Sequence, residues 1–245
     1  MDVGIIVIGD EILSGYRQDR HLEKSISLLT ARGHDLSWCY VVGDKPQHIV
    51  DILVYAGREN IPVFCFGGIG ATPDDKTRQC AAKAFDLPLL AHPEAVKLIE
   101  EQFAEQAYPK RIRMADLPDG AVLIPNPVNR VPGFSVGDMH FFPGFPQMAG
   151  PMMEWVLSRY PDEIDEDRLR SVLRVINGHE SEFIDVMNAI MGLDVSMSIS
   201  SLPVIGEENN YIDFIVTGKR ECGERAVELL LECIRGQQAE YEFLS

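Results

Sequence analysis

Three short, largely apolar runs in the first part of the chain predict buried strands. They cover residues 3–8, 36–42 and 61–66, and each run stops at a glycine. Apolar segments of this length are typical of strands that are covered on both faces of a parallel sheet. A stretch with apolar residues at helical spacing follows each run. The pattern therefore predicts an α/β fold, with three αβα layers around a mostly parallel sheet.

The predicted helices carry start and stop signals of their own. Asp19 can cap a helix that ends at Gly33, and Pro46 opens the next helix. A third helix follows Asp75. Aspartate is a preferred capping residue, proline suits the first helical turn, and glycine is common just beyond a helix end. These signals support the alternation of strands and helices.

Beyond residue 90 the pattern of the same domain becomes less regular. A helix is expected around 93–106, and the proline- and glycine-rich segment 117–134 predicts one strand at most. The segment 138–148 predicts a short strand, a Pro-Gly turn and the start of a helix. That helix carries apolar residues on one face, namely Met152, Met153, Trp155 and Val156. We expect these residues to pack against the sheet.

An acidic segment that contains Pro161 marks a domain boundary near 160–168. We predict a first domain over residues 1–160 and a small α+β domain over residues 168–245. The expected order of elements in the small domain is β-α-β-β-α. The strands are expected at 169–176, 194–200 and 211–217, and the helices at 181–191 and 222–236.

Composition and charge exclude several classes of protein. Hydrophobic residues make up 46% and charged residues 24% of the chain, which is ordinary globular usage. The formal net charge of −16 disfavours nucleic-acid partners and a membrane-surface role, because both need a basic surface. Five widely spaced cysteines predict free thiols, and the N-terminal segment lacks a signal peptide's basic start. We expect a cytoplasmic protein without membrane spans.

The candidate chemistry lies in the loops that follow the three predicted strands. Ligands of open α/β sheets bind at the carboxyl ends of the strands, and glycines let a backbone come close to a ligand. Carboxylates beside a phosphate require a cation between them, and Mg²⁺ is held by one or two carboxylates plus phosphate oxygens. The candidate ligand-binding residues are Gly9, Gly67, Gly68, Gly70, Thr72 and Thr77, and the candidate acids are Asp10, Asp44 and Asp75.

Each of these signals has a simpler structural explanation. Two glycines after a strand are common in tight turns, and Asp75 can serve as a helix cap. Asp10 and Asp44 can be solvated loop residues. The convergence of three such loops on one sheet edge is what favours a ligand site.

Several segments resemble the MoaB/Mog molybdopterin-binding family. They are GDEILSG (9–15), Asp19, VGD (42–44) and GGIGATPDDKT (67–77). The segments 117–134, 142–148 and 179–187 are similar to those of the subgroup formed by the N-terminal domain of competence/damage-inducible protein CinA. The likeness covers nearly the whole chain, and the glycine-rich block at 67–77 is its most specific part.

This resemblance implies a ligand chemistry. Mog-type relatives bind molybdopterin and adenylylate it with Mg-ATP, whereas CinA-type relatives are associated with cleaving ADP-ribose or FAD at the pyrophosphate. It implies that Asp44 and Asp75 are catalytic, and that Asp10, Asp44 and Asp75 bind Mg²⁺ or another divalent cation. The expected function is a metal-dependent nucleotide pyrophosphatase that releases AMP. The alternatives are a molybdopterin-binding or adenylylating protein and a non-catalytic nucleotide-binding module.

The resemblance also bears on assembly and on substrate identity. Relatives self-associate, so a homo-oligomer is expected, and deamidase activity is not expected because the chain ends before any such domain. Four departures from the family pattern lie near the presumed ligand. They are His21 for asparagine, Ala71 for proline, Asn129-Arg130 for Gly-Thr and Gln147 for glutamate. These departures therefore bear on substrate identity and on activity itself.

Overall fold

The computed structural model describes residues 1–205 and 210–244 and divides into two compact units. The first unit is Met1–Ile164 and the second is Asp165–Ser245. Within the described residues, no helix is both long enough and apolar enough to cross a bilayer.

Eight strands belong to the first unit. They are β1 (Asp2–Ile8), β2 (Asp35–Val42), β3 (Val63–Phe66), β4 (Leu89–Ala91), β5 (Asp116–Pro118), β6 (Val122–Ile124), β7 (Gly133–Val136) and β8 (Met139–Phe142). Six of them form one sheet in the order β2-β1-β3-β8-β7-β6, in which the first four strands are parallel and the last pairs are antiparallel. Strands β4 and β5 form a separate antiparallel pair.

Helices cover both faces of the six-stranded sheet. They are α1 (Asp10–Leu13), α2 (His21–Thr30), α3 (Pro46–Ala56), α4 (Thr77–Ala84), α5 (Pro93–Phe103) and α6 (Pro146–Leu157). Because side chains alternate along a strand, Ile6 and Ile8 of β1 pack with α3, α4 and α5, whereas Ile5 and Val7 pack with α2 and α6. The two cores confirm the predicted three-layer arrangement with a mostly parallel sheet.

The prediction of one strand at most in segment 117–134 was wrong. This segment contains the end of β5, all of β6 and the start of β7. Gly133 is the first residue of β7, and a Cβ at that position would lie 2.4 Å from the carbonyl oxygen of Phe141 on the neighbouring strand. Glycine in this segment therefore allows close strand packing as well as turns.

The second unit is a four-stranded antiparallel sheet with helices on one face. Its elements are β9 (Arg168–Ile176), α7 (Ile184–Met191), β10 (Ser198–Ile205), β11 (Asn210–Lys219), α8 (Arg220–Gly236) and β12 (Glu240–Phe243), and the strand order is β10-β11-β9-β12. The predicted order of elements is present, with β12 added at its end. The strand expected at 194–200 begins later, because Asp194 accepts hydrogen bonds from the amide and hydroxyl of Ser196 in a turn.

A buried histidine in the first unit is held in a polar network. The Nδ1 atom of His140 in β8 lies 2.8 Å from Oγ of Ser135, and its Nε2 atom lies 3.0 Å from the hydroxyl of Tyr160. Its ring also contacts Phe64 at a centroid distance of 5.2 Å. Burial lowers the pKa of the His140 imidazole from 6.5 to about 4. The folded protein therefore keeps this ring neutral in mildly acidic solution.

We predict that His140 makes the protein sensitive to acid. Below pH 6.5 the unfolded chain protonates this histidine, while the folded chain does so only near pH 4, so stability is lost as the pH falls between these values. The loss approaches about 3 kcal/mol at the lower end. Urea unfolding should show a larger fall in the free energy of unfolding from about pH 7.5 to about pH 4.5 in the wild type than in His140→Gln. Equal falls would contradict the prediction, and the exposed His48→Gln serves as the control.

Candidate functional site

The carboxyl ends of the parallel strands meet at one edge of the sheet, beside a hollow of about 390 Å³. We call it the first hollow. Its polar wall comes from the loops after β1, β2 and β3. Its other wall is largely apolar and comes from later segments. The polar wall includes Gly9, Asp44, Gly67, Gly68, Gly70, Ala71, Thr72 and Asp75, and the apolar wall includes Phe103, Met114, Val131, Pro132, Phe145 and Met148. The structure thus brings together most of the residues that the sequence singled out.

The loop after β3 needs glycine at two successive positions. Gly67 and Gly68 have φ angles of 105° and 68°, in the left-handed region. A Cβ on Gly67 would lie 2.2 Å from the carbonyl oxygen of Ile8, and one on Gly68 would lie 2.2 Å from Oγ1 of Thr77. Glycine is therefore required here by the loop's own packing, in addition to any contact with a ligand.

Thr77 and Arg78 hold this loop from behind. The Thr77 hydroxyl donates to the carbonyl of Gly67 at 2.9 Å, and the Thr77 amide donates to the carbonyl of Gly68 at 2.9 Å. The guanidinium of Arg78 donates to the carbonyl of Gly70 at 2.7 Å. Because the C=O of one residue and the N–H of the next point in opposite directions, the amides of residues 68, 69 and 71 point away from this support.

These arrangements change the role predicted for Thr77. Its side chain is fully buried and does not line the first hollow, so it supports the loop instead of presenting a hydroxyl to a ligand. Arg78 was missed by the sequence analysis. The available signal was an arginine three and four residues before Ala81 and Ala82, on the same buried helix face.

The backbone N–H groups of residues 68–71 have no acceptor within the described part of the chain. All four residues line the first hollow. Successive N–H groups of this kind form anion-binding concavities in proteins. The loop can therefore bind phosphate oxygens through its backbone.

Asp75 is fixed at the end of the same loop. Its Oδ2 atom accepts hydrogen bonds from the amide of Thr72 at 2.9 Å and from the hydroxyl of Thr72 at 2.5 Å. Helix α4 begins two residues later with Lys76 at its N-cap and no side-chain cap. Asp75 therefore stabilises the loop instead of capping the helix, and its carboxylate lines the first hollow.

Asp10 and Asp44 join the loops after β1 and β2. Oδ1 of Asp10 accepts from the amide of Asp44 at 3.1 Å, and Oδ2 of Asp44 accepts from the amide of Asp10 at 2.9 Å. Asp44 lines the first hollow, whereas Asp10 does not. Burial and the nearby charges of Asp10, Glu11 and Asp74 raise the pKa of Asp44, although the amide of Asp10 opposes the shift.

The acids fit a divalent cation only in part. Among the described residues, no three Asp, Glu, His or Cys side chains form a group placed to hold a metal ion. The predicted set of Asp10, Asp44 and Asp75 is therefore not assembled, since Asp10 is used to join two loops. Asp44 and Asp75 do share the first hollow, and a cation there would relieve the crowding of negative charge around Asp44. One or two carboxylates suffice for Mg²⁺ when phosphate oxygens and water complete its shell.

A second hollow of about 330 Å³ lies beside the first. The two share the residues Ile8, Glu11, Arg17, Gly144 and Phe145. The second hollow is more polar in its side chains and includes Gln18, Asp19, Arg20, His21, Phe66 and Gln147. Two of the departures noted in the sequence, His21 and Gln147, line this hollow, whereas Ala71 and Asn129 line the first.

The fold and these hollows define a class of α/β protein that binds a small molecule at the carboxyl edge of its sheet. The family described as "Probable molybdopterin binding domain" matches residues 4–162. The chain belongs to this family, and within it the chain is of the MoaB/Mog-like CinA type.

Individual relatives agree with this assignment. A CinA-like protein of Syntrophotalea carbinolica is 27% identical over 244 residues, which cover 94% of this chain and 56% of that protein. Protein PAE0875 of Pyrobaculum aerophilum is 30% identical over 81% of this chain and 78% of its own length. The crystal structure of CinA from Thermoplasma acidophilum has a TM-score of 0.60 and 26% identity over 65% of this chain and 98% of that chain. The chain thus spans about half the length of some CinA-like relatives.

Proposed function

We propose that this chain is a divalent-metal-dependent nucleotide pyrophosphatase that cleaves ADP-ribose- or FAD-like molecules and releases AMP. The observation that carries the proposal is the set of unpaired backbone amides at residues 68–71. They lie in one hollow with the carboxylates of Asp44 and Asp75 and with an apolar wall. A dinucleotide has the matching parts, because it joins a flat base to a pyrophosphate.

The residues of this chain have distinct tasks in the proposed reaction. The amides of residues 68–71 bind non-bridging oxygens of the pyrophosphate and stabilise the charge that develops on them. Phe103, Met114 and Phe145 cover the base and exclude water from it. Water attacks the adenylyl phosphorus and the bond from that phosphorus to the bridging oxygen breaks. The bridging oxygen departs with the second phosphate product, the oxygen of the attacking water stays on AMP, and the released proton passes to solvent.

Asp44 and Asp75 are the residues that would hold the divalent cation, Mg²⁺ or another of similar chemistry. When bound, such a cation neutralises the charge on the pyrophosphate and makes water a better nucleophile. Thr72 keeps the Asp75 carboxylate in place through two hydrogen bonds. Asp44 is kept in place by the amide of Asp10.

The test is AMP release measured by chromatography. The substrates are ADP-ribose, FAD, NAD and ATP, each with Mg²⁺, Mn²⁺ or Co²⁺ and each repeated with EDTA. We expect metal-dependent AMP release from ADP-ribose or FAD. The release should be lost in Asp44→Asn, whose amide oxygen can still accept from the Asp10 amide, and kept in Asp51→Asn on the exposed side of α3. A folded wild type that releases no AMP above the EDTA background contradicts the proposal.

A second candidate function is binding or adenylylation of molybdopterin in molybdenum-cofactor synthesis. The family description, a probable molybdopterin binding domain over residues 4–162, favours it. The same amides and acids suit a phosphorylated pterin. Tight molybdopterin binding by a chain that cleaves no dinucleotide would establish this alternative. Nucleotide binding that EDTA leaves undiminished, without cleavage, would instead indicate a non-catalytic module.

A further inference from the structure

His21 is an almost fully buried histidine in the wall of the second hollow. It is the first residue of α2, with 7% of its surface exposed. Its ring stacks on Phe66 with a centroid distance of 4.9 Å and an interplanar angle of 27°. The stacking on Phe66 and the contact between Nδ1 and Asp19 fix the orientation of the ring. None of the roles assigned above uses it.

The hydrogen bonds of Asp19 determine which ring nitrogen of His21 carries the proton. The Asp19 carboxylate accepts from the amides of His21 and Leu22, both at 3.0 Å, and lies 2.8 Å from Nδ1 of His21. Burial raises the pKa of Asp19, but these hydrogen bonds outweigh it and the pKa lies below its ordinary value. An ionised carboxylate can only accept, so Nδ1 of His21 donates to Asp19, and in the tautomer that carries its proton on Nδ1 the Nε2 atom is an acceptor.

This acceptor has no donor. Nε2 of His21 is buried and makes no hydrogen bond within the described part of the chain. Leaving a buried polar atom unpaired is unfavourable, and such atoms in native structures call for an explanation. A ligand group that donates a hydrogen bond would provide one.

The remaining side chains of the second hollow indicate what kind of group this is. Arg17, Arg20, Gln18 and Gln147 offer donors, and Glu11 and Asp19 offer acceptors. A wall with this mixture suits a polyhydroxylated group better than a flat apolar ring. The second hollow also adjoins the first through Arg17 and Glu11, so one ligand can extend from the glycine loop into it.

We infer that the second hollow binds the sugar arm of a pyrophosphate-linked ligand, and that Nε2 of His21 accepts a hydrogen bond from one of its hydroxyl groups. This inference rests on the proposed function, because it places the pyrophosphate at residues 68–71. His21 is then a specificity-determining residue. It selects ligands that carry a hydroxylated group beyond the second phosphate.

The test compares two ligands that cannot be hydrolysed, the α,β-methylene analogues of ADP and of ADP-ribose. Calorimetry with Mg²⁺ present measures the binding of each to the wild type and to His21→Phe, which keeps a ring against Phe66 but lacks the acceptor. We expect the variant to lose about tenfold in affinity for the ADP-ribose analogue, the size expected for one hydrogen bond to a buried group. Its affinity for the ADP analogue should stay unchanged.

Two further variants control for folding. His21→Asn keeps an acceptor on a shorter side chain and should lose less affinity for the ADP-ribose analogue than His21→Phe. The same His→Phe change at exposed His48 should alter neither affinity. Thermal unfolding of each variant shows whether the fold is retained.

His21 also borders a small cavity of about 10 Å³, roughly the size of one water molecule. If such a water satisfies Nε2, His21→Phe will change both affinities equally or change neither, and the inference is overturned. That outcome, together with AMP release by the wild type, leaves the proposed function intact. A third outcome is that His21→Phe loses affinity for the ADP-ribose analogue alone while the wild type releases no AMP. It supports this inference and removes the proposed function.

Discussion

Replacing Asp75 with asparagine is expected to reduce AMP release at least about 100-fold, while the protein keeps its fold. The loss reflects the removed negative charge, which the proposed cation requires, and preorganised charge at such sites contributes effects of this size. The fold is kept because the side-chain oxygen of asparagine can still accept from the amide and hydroxyl of Thr72. The change thus separates the charge of Asp75 from its support of the loop.

The measurement is kcat and KM for ADP-ribose with saturating Mg²⁺, together with the thermal midpoint of unfolding. Asp51→Asn removes the same charge from the exposed side of α3 and serves as the matched control. Thr72→Val tests the support that Asp75 gives to the loop, because it removes the hydroxyl that donates to Asp75 but keeps the backbone donor. If Asp75→Asn retains more than about a tenth of the wild-type kcat, the carboxylate charge is not needed and Asp75 only supports the loop.

Replacing Arg78 with methionine is expected to destabilise the first unit by about 3 kcal/mol and to disorder the glycine loop. Arg78 is 3% exposed, and its guanidinium donates to the carbonyls of Gly70, Arg113 and Asp116. Methionine fills a similar volume but leaves these carbonyls without a donor. The carbonyl of Gly70 is then free to turn, and the amide of Ala71 turns with it.

Urea unfolding measures the loss of stability. Binding of the α,β-methylene analogue of ADP measures the disorder of the glycine loop. Arg78→Lys is the informative partner variant, because one ammonium group can bond the Gly70 carbonyl but cannot span all three acceptors. Compared with Arg78→Met, we expect Arg78→Lys to recover part of the ligand affinity and little of the free energy of unfolding. The exposed Arg58→Met, beyond the end of α3, controls for loss of charge. An Arg78→Met protein that unfolds and binds like the wild type would show that the loop holds its shape without the guanidinium.

The parallel part of the fold could be predicted because its signals are local. Strand β3 and residues 3–8 of β1 are apolar runs whose ends are marked by Gly67 and Gly9. The antiparallel part was harder, since β6 and β7 are short and lie among prolines and glycines. Strand β12 was missed because its alternating EYEF sequence is exposed, and within the described residues it is held by pairing with β9.

The site could be predicted in outline, since the loops after parallel strands of one sheet meet at one edge. Two of its features depend on contacts between distant segments. Phe103, Met114 and Met148 form one wall, yet each lies in a different element and looks like a core residue in the sequence. Thr77 carries a hydroxyl at the expected place, but only the folded loop shows that it supports the backbone from the buried side.

The strand order of the sheet has a consequence for synthesis on the ribosome. All four residues of β3 are buried, and β8 covers one of its edges. Translation produces β3 long before β8, so the nascent chain carries an apolar strand with one unprotected edge until Met139–Phe142 has emerged. Edges of this kind recruit other strands, and incomplete chains are then prone to aggregate. A chain arrested between Phe66 and Met139 is for this reason expected to need a chaperone.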